Sequence, residues 1–392
     1  MHHVSATTTL KALRDVALAS GALSSPMDRP LVFALLAGVL MVWLYGTIDV
    51  VAHADSGMKN YVPMAEAAPG LDLTQPKPYL YRWLGPWVAG LMPVPAGLAF
   101  YGLAVMGSML LLWMMAAVCR ADGRSAWAAA VTAALLTANP YVFGFNVYNH
   151  YQLNDVWMQL ALGGALWLLW RRRYAAMGAV LAVSVLLREP AILMVPVAFV
   201  ALWERGRLRT DGPSVALALV PLVLLFVAPR ALFPDPGGMG LAEALVEEGR
   251  KAASPVTWAR LLVNAWVPVI ALLAVWPGDA WRWLRGHLHL VVLFVLTLGS
   301  AMFGTDQERL MQPAVWLVYP AVAAVLDARW RGRPVALGVL GAAAVLTSLH
   351  HITARFPLPS RTLTMQLALL ALALATGAAL AVRRARPAPG DA

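Results

Sequence analysis

Apolar residues in this chain run in long blocks separated by short polar or basic segments. Blocks at 31–50, 97–118, 126–144, 156–170, 213–231, 258–277, 287–304, 310–327, 334–350 and 362–382 read as membrane helices, since a spanning helix needs about 20 apolar residues. Several are short. The stretch 175–203 is interrupted by Arg188, Glu189 and Pro190. As one helix it would be roughly 43 Å long at about 1.5 Å per residue, so it is either one long span or a hairpin of two short helices.

Charge selects between these. Arg171, Arg172 and Arg173 precede the stretch, and Arg205, Arg207 and Arg209 follow it. Both clusters belong in the cytoplasm if basic residues stay inside. A hairpin satisfies both, giving about twelve membrane segments with 19 Lys and Arg inside and 11 outside; one long span makes the tally 15 against 15. Pro190 fits a break, because its ring removes a backbone donor and steers the preceding residue away from helical angles. Arms only about 20 Å long cannot cross an apolar core of about 30 Å unaided. Short broken helices survive where protein or a water-filled cavity covers the freed backbone, so the Arg188-Glu189 tip should project into a pocket.

The predicted fold class is therefore all-α: a polytopic membrane protein, some of whose segments are short or re-entrant, with both termini cytoplasmic. Residues 1–30 form a cytoplasmic segment, 31–382 a single membrane domain and 383–392 a tail, with outer loops at 49–96, 145–155, 232–257, 305–309 and 351–361. Residues 31–50 read as an uncleaved signal anchor. No internal repeat or linker to a soluble domain is visible.

Composition agrees. With 60% hydrophobic and 13% charged residues and a mean hydropathy of +0.67, this is no ordinary soluble domain. The net charge of +10 does not point to nucleic acid, because the basic residues sit in short runs between apolar spans. The single cysteine, Cys119, excludes an internal disulfide, and no Cys/His spacing suits zinc. Richness in Ala, Arg and Trp points to a high-GC bacterium, hence to an inner (plasma) membrane.

The remaining charges carry the chemistry. Asp55, Arg82, Asp155, Arg188, Glu189, Asp306 and Arg309 all fall on the outer face, and charges beside apolar spans mark a site by default. In the first outer loop Asp55, with Asp49 as its rival, is a candidate general base; either could instead cap a helix or face solvent. Residues 56–68 place Met58, Tyr61, Val62, Met64, Ala65 and Ala68 at helical spacing, predicting an amphipathic helix in the interface. Arg82, among Tyr79, Tyr81, Trp83 and Trp87, is either a guanidinium clamp on a phosphate or a side chain reaching lipid headgroups.

Ahead of the 156–170 helix lie Asn146, Asn149, His150, Gln152, Asn154 and Asp155. Asn154 or Asp155 could cap that helix; the group also suits sugar hydroxyls, with Tyr148, Tyr151 and Trp157 to stack on a ring. Arg188 and Glu189 either neutralise one another or line a pocket. Asp306, Glu308 and Arg309 form a turn in which Asp306 and Arg309 lie one helical turn apart. His350 and His351 end a helix on the same face, with no third metal ligand suggested by spacing.

In order and placement these residues resemble the GT-C superfamily of integral membrane glycosyltransferases, which use polyprenyl-phosphate-linked sugars. The likeness runs from residue 49 to residue 313: Asp55, Tyr61, Met64, Ala65 and Glu66; then P-YLYR-x-L-x-P around Arg82; QLND at Asp155; LLRE at Arg188 and Glu189; and DQER ending in Arg309. The resemblance implies Asp55 as the base that activates the acceptor. It implies Arg82, Arg188 and Arg309 as contacts to the donor phosphate, with Tyr61, Asn149, His150, Asn154, Asp155, Glu189 and Asp306 around sugar and acceptor. Many relatives carry an acidic pair in the first loop, whereas Asp55 precedes Ser56 here, which leaves Asp49 in contention. The chain has no WWD-like motif and no large C-terminal soluble domain, which argues against protein N-glycosylation.

The implied reaction is inverting transfer from a polyprenyl-phosphate sugar to a glycan, lipid or protein acceptor, among membrane lipids and without nucleic acid. No P-loop, dinucleotide fingerprint or DxD pair is present, and no cofactor is required; a divalent cation is compatible with the chemistry but has no ligand set in the sequence. Three other classes stand beside this one. A transporter or flippase of lipid-linked sugars would place charge at helix centres and show paired repeats. A surface-polysaccharide polymerase or ligase would carry its large outer loop late in the chain. A noncatalytic assembly subunit is the third.

Overall fold

The computed structural model describes residues 29–51, 57–233, 241–302, 304, 306–349 and 360–385. It is helical, with no strand among the described residues. The chain runs through α1 (Arg29–Tyr45), α2 (Met58–Glu66), α3 (Leu84–Gly90), α4 (Ala96–Ala121), α5 (Ala126–Thr137) and α6 (Phe145–Tyr148). It continues through α7 (Leu153–Trp170), α8 (Tyr174–Ser184), α9 (Met194–Glu204), α10 (Leu208–Leu232), α11 (Leu241–Ala252) and α12 (Pro255–Leu262). It ends with α13 (Ile270–Val275), α14 (Pro277–Arg285), α15 (Leu288–Met302), α16 (Gln307–Leu310), α17 (Val315–Arg329), α18 (Pro334–Ser348) and α19 (Arg361–Arg384).

At the centre lies α17, buried at every position from Val315 to Leu326, as a helix apolar all round must be. It packs against α4, α5, α14 and α15, while α8 lies on α7 and α10, and α18 on α19. Helices approach closely where glycine allows it: a Cβ on Gly178 of α8 would sit 1.9 Å from the Ala218 carbonyl oxygen of α10. Among the described residues three helices are long and apolar enough to cross a bilayer, α4, α10 and Thr362–Arg384 within α19, and counting each bent helix pair as one span raises this to five. Phe33, Leu217 and Leu369 stand more than 60% exposed, an apolar exterior that suits lipid and not water.

Helix ends segregate to two faces. On one, Ser125 Oγ donates to Asp327 at 2.6 Å, Trp283 Nε1 donates to Asp122 at 2.7 Å, and Arg329 pairs with Asp279. Helices stop on this face through left-handed residues, Gly123 (φ 80°), Gly206 (φ 65°), Gly332 (φ 75°) and Arg172 (φ 59°), a backbone that costs any residue but glycine about 1 kcal/mol or more. We call it the arginine-rich face. Tyr174, opening α8, hydrogen-bonds Asp211 in the first turn of α10, and Arg171 and Arg205 line one cavity. Segment 174–204 thus leaves this face and returns to it, with Arg188 and Glu189 at the far end, as the hairpin reading requires.

The block 258–277, expected as one helix, is broken instead. It divides into α12, a turn at Asn264–Trp266, and α13. Pro268 supplies no N–H, and Val267 before it is extended at φ −62°, ψ 137°, the region to which a following proline confines a residue. Composition alone does not register that break. The expected helix over 56–68 is present as α2, with Asn60, Tyr61, Met64 and Ala65 buried.

Candidate functional site

Opposite the arginine-rich face, segments far apart in sequence meet. Arg82 lies between the Tyr79–Tyr81 turn and α3. Its carbonyl accepts Asn154 Nδ2 at 2.8 Å, and the Leu84 amide reaches the Leu186 carbonyl at 3.4 Å, which pins this segment to the hairpin tip. At that tip α8 ends, the Leu187 and Arg188 amides closing on the Ser184 carbonyl at 3.0 and 2.9 Å. Arg188 is then extended at φ −162°, ψ 147°, and Pro190 opens the next turn.

Successive side chains of an extended segment point to opposite sides. Accordingly Arg188 and Glu189 do not neutralise one another. Arg188 pairs with Asp155 of α7, and both are almost wholly buried, at 3% and 1% exposure. Glu189 receives Arg82 from Nε at 3.1 and 3.0 Å and from Nη2 at 2.9 Å, with Arg230 at 3.6 Å. Arg309, on the single turn of α16, lies 3.8 Å from Asp155 and 3.0 Å from Asp306, over the Phe145 ring at 4.8 Å.

The capping role open to Asn154 and Asp155 is not the one they fill. Helix α7 begins at Leu153 without a side-chain cap bond; Asn154 serves the Arg82 carbonyl and Asp155 serves Arg188. Tyr61 of α2 is buried beside Arg82. Burial raises its phenol pKa, which Arg82 only partly opposes, so the hydroxyl keeps its proton at neutral pH.

Electrostatically, Arg82, Arg188, Arg230 and Arg309 face Asp155, Glu189 and Asp306, an excess of one positive charge. Hydrogen bonding among the described residues is left incomplete: Arg188 Nε and Arg309 Nε are buried donors with no acceptor there, and Asp155 Oδ2 a buried acceptor with no donor. The 3.0 Å approach of Arg309 to Asp306 is an ion pair without hydrogen-bond alignment. Orphaned buried polar groups are rare and call for an explanation.

Of the residues singled out from sequence, Tyr61, Arg82, Asn154, Asp155, Arg188, Glu189, Asp306 and Arg309 converge here. Asn149 and His150 are buried nearby in sequence, but His150 packs its ring on Tyr101 and Tyr151, and among the described residues no hydrogen bond or ion pair joins either to the arginines. Burial pushes the His150 pKa down to about 4, so the imidazole is neutral. Asp49 is exposed, its carboxylate accepting the Val51 amide at 2.9 Å. Asp55, His350 and His351 lie outside the described residues. Among the described residues no three His, Cys, Asp or Glu side chains form a metal-binding group.

Two participants escaped the sequence reading. Arg230, ending α10, stacks on Tyr81 at 4.6 Å and Phe226 at 3.9 Å; a lone charge after an apolar span is the signal that pointed to it. Arg260 of α12 grips Glu308 through two 2.6 Å hydrogen bonds, and Asn264 links Glu308 to the Tyr141 hydroxyl at 3.3 and 2.8 Å. Burial works against the Glu308 charge, but Arg260 outweighs it and holds the pKa below the usual carboxylate value. Glu308 and Arg309, adjacent on α16, therefore tie α12 and the Asn264–Trp266 turn to the arginine cluster.

No protein-family model, curated protein or solved structure matches the chain.

Proposed function

We propose that the protein is an inverting glycosyltransferase of the GT-C kind, moving a sugar from a polyprenyl-phosphate donor to an acceptor hydroxyl at the outer face of a bacterial inner membrane. The supporting observation is the pair of buried guanidinium donors without acceptors among the described residues, Arg188 Nε and Arg309 Nε, in a cluster of net positive charge. Such donors suit phosphate oxygens, which guanidinium groups bind in a planar fork. In this reading about twelve segments cross or enter the membrane, both termini are cytoplasmic, and the arginine-rich face is the inner one.

Asp55, with Asp49 as its rival, withdraws the proton of the acceptor hydroxyl. The freed oxygen attacks the anomeric carbon as the bond from that carbon to the phosphate oxygen breaks, and the lipid phosphate leaves with the electron pair. Negative charge grows on phosphate in the transition state, where Arg82, Arg188 and Arg309 stabilise it in a poorly solvated cleft. Tyr61, still protonated, adds a donor, while Asn154 and Glu189 hold Arg82 in place. Asp155 orients Arg188, and Asp306 attends Arg309. Asn149 and His150 remain candidates for acceptor contact.

The test is transfer and donor binding by purified protein supplied with polyprenyl-phosphate sugars. Arg309→Ala should weaken donor binding about tenfold or more, equivalent to about 1.4 kcal/mol, and Asp55→Asn should abolish transfer while donor still binds. Should proteoliposomes carry the lipid-linked sugar across the bilayer without consuming it, the enzyme reading falls to a flippase.

A further inference from the structure

On the arginine-rich face a cavity of about 370 Å³ is lined by Asp122, Trp167, Trp170, Arg171, Arg205 and His287. Its acid is already engaged. Asp122 takes Trp283 Nε1 and His287 Nε2 at 2.7 Å each, with Arg124 at 3.2 Å. The acid beside Arg205 in sequence is turned elsewhere: Glu204 takes the Leu288 and His289 amides and pairs with the His289 ring. His289 in turn accepts Trp170 Nε1 at 3.2 Å, which fixes one indole wall of the cavity.

The two arginines are therefore left over. Arg172, Arg329 and Arg331 of this face each hold a carboxylate, Asp211, Asp279 and Asp327 respectively. Among the described residues the guanidinium groups of Arg171 and Arg205 have no hydrogen bond or ion pair, and that of Arg171 only lies over the Trp167 ring at 5.5 Å. Both are exposed to solvent, yet they share the lining of one cavity with the indoles of Trp167 and Trp170. Both nitrogens of His287 are occupied, by Asp122 and by the Trp283 carbonyl, so His287 offers the cavity no free donor.

We infer that this cavity is a second anion site, binding a phosphate ester between the guanidinium groups of Arg171 and Arg205. Guanidinium pairs favour phosphate by geometry as well as charge. The volume lies at the low end of the roughly 300–1,000 Å³ of small-ligand sites, room for a phosphate with a few carbons and not for a whole lipid. Tryptophan side chains settle at the headgroup level of membranes, which makes an anionic lipid headgroup one source and a soluble phosphate the other. The site lies opposite the outer cleft and does not rest on the glycosyl-transfer reading.

Native mass spectrometry of the full chain in mild detergent tests it, with dihexanoyl phosphatidic acid, dihexanoyl phosphatidylcholine and inorganic phosphate as probes. The expected result is one saturable phosphatidic acid adduct, weakened about tenfold or more by Arg171→Ala with Arg205→Ala, and unchanged by Arg209→Ala. Competition by inorganic phosphate at similar concentration assigns a soluble phosphate as the source; its failure to compete assigns a lipid headgroup, and either outcome supports the anion site. Equal adducts in wild type and the double variant, or equal binding of phosphatidylcholine, overturns it. Arg205→Ala alone, with an unshifted elution profile, separates lost binding from lost folding.

Discussion

Replacing Asp155 by alanine is the sharpest perturbation of the arginine cluster. Arg188, 3% exposed, would lose its partner while Arg309 and Arg82, which already act against its charge, remain. Leaving one member of a buried ion pair uncompensated costs about 3–5 kcal/mol. Arg309 would also lose an attraction at 3.8 Å, about 4 kcal/mol at an effective dielectric near 20 before desolvation. Arg309 retains Asp306, however, so its share is far smaller.

Removing both charges, as Asp155→Leu with Arg188→Met, should restore about 2–4 kcal/mol relative to Asp155→Ala, because no buried charge is stranded. A cycle of Asp155→Leu, Arg188→Met and their combination isolates the coupling. Unfolding by denaturant titration in mild detergent measures stability, and binding of a polyprenyl-phosphate sugar is followed in parallel. If the pair matters to fold alone, binding returns with stability; on the reading above it does not, since the Arg188 guanidinium is gone. Asp155→Ala as stable as wild type, or a double variant no better than the single, would refute the energetic coupling.

Gly85→Ala should weaken donor binding severalfold with little loss of stability, because a Cβ there would fall 1.9 Å from Asn154 Oδ1. That displaces the hydrogen bond to the Arg82 carbonyl, worth about 1 kcal/mol; unaltered binding would sink the claim that Asn154 positions Arg82. On the other face, burial disfavours the His287 charge, but hydrogen bonds to Asp122 and the Trp283 carbonyl, with the Asp122 charge, together raise its pKa, while Asp122, despite burial, is lowered by His287 and Trp283. The histidine contribution is complete below its ordinary value of about 6.5 and is lost as pH rises through the raised folded value; the aspartate contribution is present above about 3.9 and is lost as pH falls through the lowered one. Melting temperature should therefore decline on the alkaline side, and His287→Gln should flatten that limb. Identical pH profiles for the two proteins would contradict the assignment.

Much of the architecture is legible in composition because the cost of burying charge, or exposing apolar surface, accrues residue by residue. Apolar blocks announce helices, and arginine runs at 171–173 and 205–209 foretell that segment 174–204 returns to the face it left. The interrupted LLREP stretch likewise marks a site, since two charges beside a proline have no cheap place in an apolar run. Pairing is another matter. Arg188 and Glu189 are neighbours in the chain, yet an extended backbone sends one to Asp155 and the other to Arg82.

Arg230 and Arg260 joined the network for the same reason: their partners lie dozens of residues away, and sequence spacing carries no record of them. The failed helix at 258–277 adds a second lesson, because a proline breaks a helix through a missing N–H that hydrophobicity does not measure. That this chain is helical, apolar and charged at its ends follows from additive solvation of its residues. Which charges meet, and which buried donors are left without acceptors, depends on backbone directions and on the close approach of distant helices, properties that exist only once the chain has packed.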